Sequence, residues 1–293
     1  MAIVVGTNFS ELVFGTNSND ELYGLGGDDT LRGFAGNDLM VGGSGIDTAD
    51  YSGLGRAVTV LPGGFVSKNG LGVDRLDGVE RIIGAVGQAN TIDGAGGRGF
   101  ASFNINLGAN RLTVNNLPGI GNFTFGMQNF VNARGTVNAD TIVGSSSRNI
   151  LDGWSGNDTL TGGGGNDSLV GGAGIDVLNG TDAAVRGSRE IDALTGGSDR
   201  DGFVLGDRSG SYYRNGGFSD YAVVTDFSSN DLIQIGAGDF YQAQRDNAGF
   251  DLYVIRNGVR DLIADVRTTS VISLPSSTFR LASGQVFGNF FGA

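Results

Sequence analysis

A nine-residue period constrains this chain more than any other feature. Cut from Gly6, the sequence gives five pieces in register: GTNFSELVF, GTNSNDELY, GLGGDDTLR, GFAGNDLMV and GGSGIDTAD. A second block opens at Gly135 with GTVNADTIV, GSSSRNILD, GWSGNDTLT, GGGGNDSLV and GGAGIDVLN. Gly opens every piece, Asp or a near relative holds the sixth place, and an apolar residue usually follows two places later. The first six residues suit a tight turn, where Gly tolerates positive φ and lets backbones approach. The last three suit a short strand with one inward apolar side chain.

The pattern matches G-G-x-G-x-D-x-U-x, the calcium-binding repeat of RTX proteins. Residues 6–50 and 135–182 thus resemble the RTX, or haemolysin-type calcium-binding, family. The expected fold is all-β: a parallel β-roll, or β-solenoid, in which two nonads make one turn and residues eighteen apart stack. Asp20 then lies over Asp38 and Asp29 over Asp47. In the second block Asp140, Asp158 and Asp176 form one column, with Asn149 and Asp167 in the other.

Stacked carboxylates repel in an empty roll, and three-residue strands bury little. Calcium answers both problems, since it takes about six to eight hard oxygen ligands, which carboxylates and turn carbonyls of stacked loops can supply. In the family the ion bridges successive turns. Several Ca2+ ions are therefore expected at Asp20, Asp29, Asp38, Asp47, Asp140, Asp158, Asp167 and Asp176. The turn glycines of these sites are Gly26, Gly27, Gly36, Gly45, Gly156, Gly163, Gly165, Gly172 and Gly174. The competing account is a calcium-free solenoid whose Asp residues only cap turns through backbone amides. Glu11, Asn149 and the missing second glycines of GTNSNDELY and GTVNADTIV mark weaker sites.

Residues 1–50 read as a first roll and 135–202 as a second, the latter ending in two partial repeats, GSREIDALT and GGSDRDGFV. Between them, 51–134 lose the nonads but keep glycines and β-rich runs, as a solenoid continuation with few calcium sites. Residues 203–293 carry longer alternating runs (YAVVTDF, DLIQI, FDLYVI, DLIADV) that predict antiparallel strands, with a hairpin turn at RNG, 256–258. This tail resembles the carboxy-terminal caps of RTX proteins, particularly cyanobacterial ones, which close the roll and carry an uncleaved type I secretion signal. The terminal FGNFF fits such a signal loosely. Met1–Ser10 has neither the basic region nor the apolar core of a cleavable export signal, so an export address is expected elsewhere.

Composition removes other chemistry. With no His and no Cys there is no Ser-His-Asp triad, thiol nucleophile or ordinary zinc site. Any metal must be held by oxygen. The formal charge is -12, and all the acids except Glu11, Glu21, Glu80 and Glu190 are Asp. Lys68 is the only lysine, and the arginines form no basic stripe, so nucleic acid is not an expected partner. No apolar run reaches the length of a membrane span.

Three classes of function stay open. One is a secreted, cell-surface structural element such as a sheath, surface-layer or filament component, in which the chain self-associates. Another is a calcium-dependent adhesion module for a surface glycan. The third is an enzyme, disfavoured because no pair of glutamates stands out as acid and base and because the nonads begin at Gly6. GGGGND lacks the GK[ST] of a phosphate cradle. Tyr212, Tyr213, Tyr221, Tyr241 and Tyr253 suit a β core better than a ligand surface.

Overall fold

The computed structural model describes residues 1–97, 99, 101–117, 121–181, 189–207, 209–213, 219–236, 239–269 and 279–280. Among them there is no α-helix, and no helix long and apolar enough to cross a membrane. Contacts divide the chain into two units, Met1–Thr136 and Val137–Ala293.

In the first unit successive nonads feed two sheets in turn. Ile3–Val5, Glu21–Gly26 and Leu39–Ser44 pair in parallel in one sheet; Leu12–Phe14, Thr30–Arg32 and Thr48–Asp50 do so in the other. The register is eighteen residues, with Ile3 beside Glu21 and Glu21 beside Leu39. One side chain per nonad points between the sheets, giving a column of Leu22, Leu31, Met40 and Ala49 that is fully buried. Each buried leucine contributes roughly 1.5–3 kcal/mol, so the column alone is a thin core.

The parallel path continues after residue 50. Leu39–Ser44 pairs with Val73–Asp77, and Thr48–Asp50 with Arg81–Ile83. Each sheet then admits an antiparallel meander: Val73–Asp77, Phe65–Ser67 and Thr59–Leu61 in one, Gly121–Gln128, Arg111–Leu117 and Ser102–Asn106 in the other. There the single apolar column widens around a cavity of about 720 Å3, lined by Val66, Ile82, Ile92, Phe103, Leu112 and Met127 among others.

The second unit repeats the plan. Thr141–Ser145, Thr159–Gly163, Val177–Thr181, Gly202–Val204 and Leu232–Gln234 stack in parallel, as do Ile150–Asp152, Ser168–Ala173, Ile191–Ser198 and Tyr221–Val224. Ile142, Leu151, Leu160, Leu169, Leu178, Leu194 and Phe203 form its fully buried column. Here the tail departs from expectation. YAVV and DLIQ are further parallel rungs, because their period-2 alternation is also what a roll strand buried on one face requires. Apart from a short antiparallel pair, Gly206–Asp207 with Gly210–Ser211, the tail's antiparallel strands are Phe240–Arg245, Gly249–Arg256 and Val259–Arg267. The expected RNG hairpin is present: Arg256 pairs with Val259 across Asn257 and Gly258, both at positive φ, as a type I′ turn needs. Tyr212, Tyr213, Tyr241 and Tyr253 are buried, whereas Tyr221 is half-buried. The FGNFF segment lies outside the described residues.

Candidate metal centres

The carboxylate columns follow from the register. In each column the sixth-place residue donates its backbone N–H to Oδ1 of the Asp one rung later. Asp20 donates to Asp38 at 2.9 Å and Asp29 to Asp47 at 2.8 Å. In the second unit Asp140 donates to Asp158 at 2.8 Å, Asn149 to Asp167 at 2.7 Å, and Asp158 to Asp176 at 2.8 Å. Amide capping by Asp is therefore real, but it engages only one oxygen of each carboxylate.

The other oxygen decides what the columns can hold. Oδ2 of Asp29, Asp47, Asp158, Asp167 and Asp176 is buried and has no hydrogen-bond partner. An ionised oxygen left so costs far more than a neutral one. Each of these oxygens faces its nonad's opening glycine and a carbonyl from the next rung. A Cβ at Gly171 would run into Asp176 Oδ2 and lie 2.6 Å from the Gly196 carbonyl oxygen; one at Gly153 would meet Asp158 Oδ2 and the Gly171 oxygen. Gly24 stands likewise to Asp29 and Gly42, Gly162 to Asp167 and Gly180, and Gly42 to Asp47 and Gly78. Such a cradle of anionic and carbonyl oxygen, open only because the first residue lacks a side chain, suits a hard cation.

Of the expected turn glycines, Gly27, Gly36, Gly45, Gly156, Gly163, Gly165, Gly172 and Gly174 take positive φ, while Gly26 lies in a strand. The need is plainest at Gly163 and Gly174, where a Cβ would press on the carbonyls of Ser145 and Gly156 one rung before.

Burial dominates the electrostatics of the columns. It pushes the carboxyls of Asp158 and Asp167 up to about 8, against the lowering effect of the amide each one caps. Burial also raises Asp47 and Asp176. These four carboxyls thus hold protons more tightly than ordinary carboxylates do, and a divalent cation would displace them.

Asp20 and Asp38 are stacked as expected, yet their outward oxygens are engaged. Asp20 Oδ2 accepts from the Thr16 amide at 2.6 Å and the Thr16 hydroxyl at 2.7 Å, and these bonds, the hydroxyl first, hold its pKa low. Asn149 is closed in the same manner by the Ser145 amide at 2.6 Å. Both nonads carry a hydroxyl residue where the motif has its second glycine. Asp38 Oδ2 accepts from Lys68 Nζ at 2.9 Å.

The columns also run further than the ten nonads. Asp38 donates to Asp74 Oδ1 at 3.0 Å and Asp47 to Glu80 Oε2 at 2.9 Å. Asp167 donates to Asp192, Asp176 to Asp201, and Asp201 to Asp231. Burial raises Asp192 and Asp201 to about 7. Asp74 belongs to NGLGVDRLD, residues 69–77, a nonad in all but its first residue, and Asp231 to DFSSNDLIQ, residues 226–234. Both could have been found by relaxing the first glycine. At two rungs a protein donor takes the cradle: Tyr213 donates its hydroxyl to Asp192 Oδ2 at 2.7 Å, and Asn90 places its amide nitrogen against Gly84.

This arrangement defines a calcium-binding parallel β-roll. The repeats are RTX calcium-binding nonapeptide repeats: that family's model matches residues 14–49, 134–169 and 161–184, and such repeats bind several Ca2+ ions. No curated protein matches the sequence. Among solved structures, the crystal structure of extracellular lipase LipA from Serratia marcescens is similar at 21% identity and a TM-score of 0.26, over 91% of this chain and 37% of that one. The chain thus spans 37% of the length of that protein.

Proposed function

We propose that the chain is a secreted structural element whose rolls set when they meet extracellular calcium and then associate at a cell surface, with no turnover of a substrate. The partner-free Oδ2 oxygens of Asp29, Asp47, Asp158, Asp167 and Asp176 carry this reading. Each would gain a ligand-bearing role from an ion that also supplies charge balance between rungs. Ions are assigned between Asp29 and Asp47, Asp140 and Asp158, and Asp158 and Asp176, and at Asp167 beside the Gly180 carbonyl, while Tyr213 holds the outward oxygen of Asp192. The Asp20–Asp38 pair is assigned none, since Thr16 and Lys68 hold its outward oxygens.

Association is supported by the end of the first unit. Ile3–Val5 and Leu12–Phe14 are the outermost strands of their sheets there, and Ile3, Val5, Leu12 and Phe14 are exposed. Apolar strand edges of this kind pair with further strands. The formal charge of -12 opposes such contact until calcium reduces it. Light scattering and negative-stain microscopy across a calcium titration test the reading. Calcium-dependent filaments or sheets are expected; a protein that stays monomeric at millimolar calcium and binds a soluble glycan would be an adhesion module instead.

A further inference from the structure

We infer that Lys68 is a tethered cation standing in for calcium between Asp38 and Asp74, so that one rung of the first roll is locked without metal. The inference rests on the calcium reading of the open cradles.

Lys68 is fully buried although it is the sole lysine of the chain. Its Nζ lies 2.9 Å from Asp38 Oδ2 and 2.5 Å from Asp74 Oδ1. These two aspartates are consecutive members of one column, joined by the Asp38 amide. Asp38 Oδ2 is the same oxygen that is left without a partner at Asp29, Asp47, Asp158, Asp167 and Asp176. The ammonium therefore sits where the open rungs present their unsatisfied charge.

Local structure aims it there. Lys68 follows the strand Phe65–Ser67 and opens a tight turn, in which the Leu71 amide returns to the Lys68 carbonyl at 3.1 Å through Asn69 and Gly70, both at positive φ. The turn leads directly into the nonad 69–77. That nonad docks on the preceding rung through Gly36 N to Leu71 O at 2.8 Å and Val73 N to Asn37 Oδ1 at 2.8 Å. The side chain thus comes from the very insertion that separates Asp38 from Asp74 by thirty-six residues instead of eighteen.

A tethered ammonium differs from an ion in two respects. It cannot be removed by dilution or chelation, because its local concentration is fixed by the chain. It also brings one charge to two carboxylates where calcium brings two, and Asp74 Oδ2 indeed remains without a hydrogen-bond partner. Removing Lys68 would leave the Asp38 and Asp74 carboxylates buried together with no cation, Asp74 Oδ1 keeping only the Asp38 amide and the buried Tyr51 hydroxyl lying alongside.

Two measurements test this. Calcium stoichiometry of Lys68→Ala, by calorimetry and native mass spectrometry, should exceed that of the unaltered chain by one ion, and Lys68→Ala with Asp74→Asn should lose that extra ion. An unchanged count in folded Lys68→Ala overturns the inference. Amide exchange of the unaltered protein needs no variant: in chelator the Asp38 amide should stay protected while those of Asp29 and Asp158 exchange freely. If all three lose protection together at the same free calcium, Lys68 does not replace the ion, although the calcium reading survives. If none responds to calcium, both fall.

Discussion

Asp158 and Asp176 stand one rung apart and are joined by a single hydrogen bond, from the Asp158 amide to Asp176 Oδ1 at 2.8 Å, while Oδ2 of each is buried with no partner. The rung is stitched on one side and electrostatically open on the other. Whether a rung depends on metal therefore turns on what fills the open side.

Asp29→Asn should lower calcium uptake by one ion, because it removes the charge of an open cradle. Asp20→Asn should leave the count unchanged and cost about 1 kcal/mol through weaker bonds from Thr16. Calorimetric stoichiometry and urea unfolding of the two variants check this; equal loss of calcium would put the ion on Asp20 as well.

Gly171→Ala should block an ion and destabilise the roll by roughly 1–3 kcal/mol, since its Cβ would press on Asp176 Oδ2 and the Gly196 carbonyl. Gly87→Ala is the control. Nothing lies within 4 Å of a Cβ there, so only the positive-φ strain, about 1–2 kcal/mol, should appear, with calcium uptake intact.

Acidity should act oppositely with and without metal. Asp158 and Asp167 are raised to about 8 and Asp192 and Asp201 to about 7, chiefly by burial. A carboxyl held above its unfolded value binds its proton more tightly in the fold. Calcium-free stability should therefore be greatest near pH 4 and fall as pH rises toward 8. Calcium binding should release protons and tighten as pH rises over the same range. Thermal melts in chelator and proton release in buffers of different ionisation enthalpy would show both; a calcium-free melting temperature that climbs from pH 5 to pH 8 would contradict the assignment.

Chelation should loosen residues 135–202 before the antiparallel strands Gly249–Arg256 and Val259–Arg267. Those strands bury Phe250, Leu252, Val254, Leu262, Ile263 and Val266, a broader apolar set than the single column of the nonads. Limited proteolysis should cut the nonads first, with protection returning at free calcium on the order of 10⁻⁴–10⁻³ M. Early cutting within 249–267 while 135–181 stays intact would count against this.

The register was legible from Gly6 and Gly135 onward because the turn, the acid and the apolar residue recur without insertion. Leu22, Leu31, Leu160 and Leu169 could be placed in the core from spacing alone. Asp192 escaped the site assignment because it follows Asp167 by twenty-five residues and not eighteen. Lys68 escaped for a deeper reason: nothing in a lone lysine between Ser67 and Asn69 shows that a meander folds it onto Asp38. The tail strands Tyr221–Val224 and Leu232–Gln234 were given the wrong direction, since alternation fixes which face is buried but not which way the neighbour runs.

The amide-to-carboxylate stitch has a polarity. Asp140 is held by Asp158, Asp158 by Asp176, Asp176 by Asp201 and Asp201 by Asp231, always the earlier residue by the later. The backbone runs the opposite way: the Thr159, Val177, Gly202 and Leu232 amides donate to the carbonyls of Asp140, Asp158, Asp176 and Asp201 one rung before. Each rung is therefore clasped from both neighbours, and a fault at one aspartate is felt on either side of it.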